Sequence, residues 1–89
     1  MNKQRRKELK AIIEKLEQLD ALRQEIQETL EAVRDEEQEA LDNMPEGLQE
    51  SERGQQMQEY IDSMDSGVDD LDMMDVQAVI DQLQEIVDG

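Results

Sequence analysis

Between Asp35 and Asp72 the chain carries 14 carboxylates against a single base, Arg53. Carboxylates packed this densely pair with Lys and Arg clusters, much as backbone phosphates do. Asp35, Glu36, Glu39, Asp42, Glu46, Glu50, Glu52, Glu59, Asp62, Asp65, Asp69 and Asp70 are therefore the candidate protein-binding residues. The competing reading is a solvated, repulsive face that keeps a short rod in solution. Other chemistries lack their residues. Cys and His are absent, which excludes disulfides, thiolate metal sites and the Glu-x-x-His pairs of di-iron bundles. Asp62-Ser63-Met64-Asp65-Ser66-Gly67 opens like a calcium loop, with Gly67 at the sixth position. Met64 and Met73 then fall at the third and twelfth positions, where oxygen ligands belong, and the pattern fails. No catalytic residue, metal or cofactor is assigned.

The carboxylates need helices to hold them. Leu9, Ile12, Leu16, Leu19, Ile26, Leu30, Val33 and Ala40 repeat as a heptad a/d seam with polar gaps at Arg23 and Glu37. Ile13, Leu22 and Leu41 widen that stripe, and helix formers fill the rest, so a first arm is expected over about 3–42. The only proline, Pro45, and the glycines Gly47 and Gly54 mark a turn over about 43–51, with one short helical turn after Pro45 and an N-cap at Ser51. A second arm over about 52–88 carries Met57, Tyr60, Ile61, Met64, Val68 and Leu71 in helical spacing. After Leu71 the phase slips by about a quarter turn to Val76, Val79, Ile80, Leu83, Ile86 and Val87. One continuous helix, a kink and a break into a third short helix all fit, and a nearly continuous arm with a local irregularity near 72–75 is favoured. The whole predicts one all-α domain, residues 1–89, folded as an antiparallel helical hairpin. A chain of 89 residues buries little, so pairing with itself into a four-helix bundle is the expected supplement.

Formal charge is −16, from 9 basic and 25 acidic residues. Residues 1–15 hold six basic and two acidic groups, a net of +4, so the rest carries −16 − 4 = −20. Lys3, Arg5, Arg6, Lys7 and Lys10 lack the neighbouring aromatics that would stack on RNA and the apolar groups that would enter a lipid surface. Their expected use is pairing, within the chain or between subunits, with Asp75, Asp81, Glu85 and Asp88. The negative total disfavours direct nucleic-acid and membrane binding and favours a basic partner. No apolar run is long enough to span a bilayer, and no apolar signal-type segment follows the basic start. A cytoplasmic protein is expected.

Two resemblances add to this reading. Glu36, Glu39, Glu59 and Asp62 form E-x-x-E and E-x-x-D pairs either side of the turn. The arrangement resembles the magnesium site of the all-helical MazG-type nucleotide pyrophosphohydrolases, which implies four carboxylates on facing helices around hydrated Mg²⁺. Glu36, Glu39 and Glu59 flank or oppose the apolar stripes, which counts against it. The stretch from Asp35 to Gly54, containing Met44-Pro45-Glu46-Gly47-Leu48, resembles the centre of small acidic all-helical proteins encoded by phages and prophages. That resemblance implies a host-interaction role and supplies no functional residues. The expectation is a non-enzymatic acidic binding protein that engages a basic surface of a host or defence protein as a nucleic-acid mimic. The alternatives are a Mg²⁺-dependent pyrophosphohydrolase-like protein and a structural spacer or adaptor in an assembly.

Overall fold

The computed structural model describes residues 1–89 and is all-α. Its elements are α1 (Lys3–Asp42), α2 (Glu46–Gln49), α3 (Glu52–Asp72) and α4 (Val76–Asp88). The residues group into two compact units, one of Met1–Glu25 with Met74–Gly89, the other of Ile26–Met73. They are called unit 1 and unit 2 below.

Unit 2 contains the turn. α1 ends where Asn43 N–H donates to Glu39 O at 3.0 Å and Met44 N–H to Leu41 O at 3.1 Å. Pro45 has no N–H to extend the ladder. Its carbonyl instead accepts from Leu48 and Gln49 N–H at 2.8 and 3.1 Å, which makes α2. Ser51 caps α3, its hydroxyl accepting from Gly54 N–H at 3.4 Å and donating to Leu48 O. Gly54 is required by space. A Cβ there would lie 2.1 Å from Gln49 O and 2.6 Å from Gln49 C.

Beyond the turn the two helices of unit 2 run antiparallel. Arg34 reaches Asp65 at 3.0 Å and Gln27 reaches Asp72 at 3.3 Å. Leu41, Met57 and Ile61 form the buried cluster, with Met44 against it.

Unit 1 has its own cluster of Ile13, Val76 and Ile80, flanked by Leu16, Leu83 and Val87. Two polar side chains cap its helices. Asn2 Oδ1 accepts from Arg5 N–H at 2.8 Å at the start of α1, and Asp75 Oδ1 accepts from Ala78 N–H at 3.0 Å at the start of α4. Each satisfies one of the orphan donors of a helix N-terminus.

The second arm is interrupted at Met73–Asp75, where the irregularity is expected, and α4 starts there as a separate short helix. The reason is phase. Extending the three-four alternation of Met57, Ile61, Met64, Val68 and Leu71 would bring Asp75, Ala78 and Gln82 to the buried side. The break adds one residue of offset and brings Val76, Ile80, Leu83 and Val87 there instead.

The seam of α1 differs from the expected a/d series. Leu9, Ile13, Leu16, Asp20, Arg23, Gln27, Leu30, Arg34, Glu37 and Leu41 form a covered row that alternates by threes and fours, with Arg6, Glu31 and Gln38 also half-buried. Ile12, Leu19, Ile26 and Val33 are between 44% and 48% exposed, and Tyr60 is 52% exposed. The facing helices select this series. They offer one narrow apolar stripe each, and they cover only part of the wider stripe on α1. No side chain is fully buried.

Within the chain, the ion pairs lie away from the N-terminal basic residues. Ion pairs join Arg23 to Asp20 at 2.9 Å and Arg34 to Asp35 and Asp65 at 3.1 and 3.0 Å. None of these links the basic N-terminal stretch to α4. The side chains that pack in unit 1 are hydrocarbon, and Arg6, half-buried, has its Nε covered with no hydrogen-bond partner.

Candidate acidic interface

All twelve candidate carboxylates lie in unit 2 and all are exposed. They do not form one surface. Asp35 and Asp42 on α1, and Asp62, Asp65 and Asp69 on α3, each directly follow a covered residue: Arg34, Leu41, Ile61, Met64 and Val68. Asp72, outside the candidate set, follows Leu71 in the same way. One residue is about 100° of helix rotation, so these aspartates line the edge just past the seam. Because the two helices are antiparallel, the two aspartate edges fall on the same side of the pair. Arg34 shows this directly, with one guanidinium reaching Asp35 on its own helix and Asp65 on the facing one.

The other seven lie elsewhere. Glu46 opens α2, and Glu50 sits between α2 and α3. Glu52 is in the first turn of α3, where the helix dipole favours it. Glu36, Glu39, Glu59 and Asp70 fall on outward parts of their helices, away from the aspartate edge. The quartet Glu36, Glu39, Glu59 and Asp62 is thus not drawn together. No group of three or more carboxylates converges closely enough to hold a metal ion.

Several edge carboxylates are oriented from within. Gln38 Nε2 donates to Asp42 at 2.9 Å, and Gln58 Nε2 donates to Asp62 at 2.9 Å, each across one helical turn. Arg34 is the only cation aimed into the edge. Its guanidinium is held above its ordinary pKa, first by the hydrogen bond to Asp35, then by Asp65, with desolvation working the other way. It stays charged and neutralises part of the middle of the edge.

Sequence inspection missed the place of Arg34 in the edge, because it lies one position before the acidic run. It also placed Asp72 outside the candidate set. The usable signal was local: an aspartate one position past Arg34, Leu41, Ile61, Met64, Val68 and Leu71, with glutamine four positions before Asp42 and Asp62.

Hollows on unit 2 are polar and open. One is lined by Glu52, Arg53, Gln55, Gln56 and Glu59, another by residues that include Gln38, Asp42, Gln49 and Gln58. No helix is long and apolar enough to cross a membrane. Comparison with protein-family models, curated proteins and solved structures finds no match.

Proposed function

We propose that unit 2 is an acidic recognition surface that docks on a basic protein surface, in the manner of a nucleic-acid mimic. The observation that carries this reading is the two-helix aspartate edge of Asp35, Asp42, Asp62, Asp65 and Asp69. Rows of carboxylates on antiparallel helices offer fixed anionic groups to Lys and Arg side chains, and Arg34 already binds two of them as a partner arginine would. The net charge of residues 26–73 is 2 − 16 = −14, which speeds encounter with a cationic surface at low salt. The resemblance of residues 35–54 to small acidic phage-encoded proteins supports a cytoplasmic host or defence factor as the partner.

The test is competition. Immobilised protein is mixed with the heparin-binding fraction of a bacterial lysate, with and without a 20-base-pair duplex. The wild-type chain captures basic proteins that rising salt or the duplex releases. A variant with Asp42→Asn, Asp62→Asn and Asp69→Asn captures them far less. Equal capture by both chains overturns the reading.

A further inference from the structure

Unit 1 leaves an apolar edge uncovered on each of its two helices. Ile12 and Leu19 stand one residue ahead of the covered Ile13 and Asp20 on α1, and are 45% and 44% exposed. Val79 and Ile86 stand one residue ahead of the buried Ile80 and half-buried Val87 on α4, and are 43% and 42% exposed. Leu16 and Leu83, at the margin of the cluster, fall between them with the same four-then-three spacing on both helices. That is the knob spacing of a helix bundle. The step from covered to uncovered edge has the same rotational sense on both helices. Antiparallel helices offset in this way carry both uncovered edges on one side of the pair.

Charge identifies what covers this face. Residues 1–25 hold seven basic and five acidic groups, a net of +2, and residues 74–89 hold four acidic groups and no base, a net of −4. Unit 1 therefore totals −2, and a second unit 1 meets almost no net repulsion. A twofold axis along the helices sets α1 of one protomer against α4 of its partner, positive against negative, twice over.

We propose that a second copy of this chain docks on the face made by Ile12, Leu16, Leu19, Val79, Leu83 and Ile86, so that two α1 and two α4 helices form a four-helix bundle. The proposal is independent of the acidic edge. It is read by mass, whereas the edge is read by capture.

Sedimentation equilibrium of the full chain at micromolar concentration gives about twice 10.3 kDa. The double variant Leu19→Glu with Val79→Glu weakens association by about 100-fold or more while helical circular dichroism is kept, because both positions are exposed in the monomer. Val33→Glu, on the matching edge of unit 2, leaves the mass unchanged. The single variants Leu19→Lys and Val79→Glu are each weakened, and mixing them restores association. A wild-type mass of 10.3 kDa, an unaffected double variant, or a Val33→Glu variant as monomeric as the double variant would each overturn the proposal. A mixture no better than its components would overturn the α1-to-α4 pairing.

Discussion

Units 1 and 2 share α1 and the same packing rule, yet they use the edges of that rule in opposite ways. In both, covered residues alternate by three and four, one side chain lies just ahead of each covered residue, and one lies just past it. In unit 1 the leading edge is aliphatic on both helices, with Ile12, Leu19, Val79 and Ile86. In unit 2 the trailing edge is aspartate on both helices, and Arg34 bridges across it. The unit charges are −2 and −14, which sum to the −16 of the whole chain. The seam supplies cohesion and tolerates polar residues. The edges, free of that duty, carry the chemical difference between an apolar face and an anionic one.

Breaking either unit by itself tests whether the difference is real. Gly54→Ala has the largest expected effect, because the new methyl meets backbone of Gln49 rather than a side chain that can swing away. Unit 2 should lose about 3 kcal/mol, visible as a lower urea midpoint and faster amide exchange at residues 52–61. Next come the two core truncations. Ile61→Ala and Ile80→Ala each empty a site that is 3% and 5% exposed in separate clusters. Each should cost about 2–4 kcal/mol. Ile61→Ala should raise amide exchange in unit 2, and Ile80→Ala should raise it in unit 1. Exchange that rises equally in both units with either variant would show that the two clusters unfold together.

Asp75→Ala removes the cap on Ala78 N–H and should cost about 1 kcal/mol, confined to α4. The smallest effect belongs to Arg34→Gln. Its ion pairs are solvent-washed, so the thermal midpoint should move slightly at low salt and not at all in molar salt. The same variant removes the one cation from the aspartate edge, and it should strengthen salt-sensitive capture of basic proteins. This would separate the recognition role of the edge from any role in stability.

Much of the fold was legible because local signals agreed. The unbroken run of helix formers from Lys3 to Asp42, the stop at Pro45 and the Ser51 cap all depend on interactions within a few residues. The choice between a continuous and a broken second arm was not readable, because a phase slip after Leu71 costs little in a free helix. It matters only once another helix must be met. The candidate site was legible as a composition, and its division into an aspartate edge and scattered outward glutamates was not.

The amino-acid sequence by itself determined that this chain is helical, where it turns and that its charge gathers around the turn. Those properties follow from backbone preference and covalent order. Only the tertiary structure decided which of two adjacent apolar rows on α1 is covered. Both rows have the spacing of a seam, and a helix alone has no inside. The register of α3 and α4 supplies that inside: it covers Ile13 and Leu41 and turns Ile12, Leu19, Ile26 and Val33 outward.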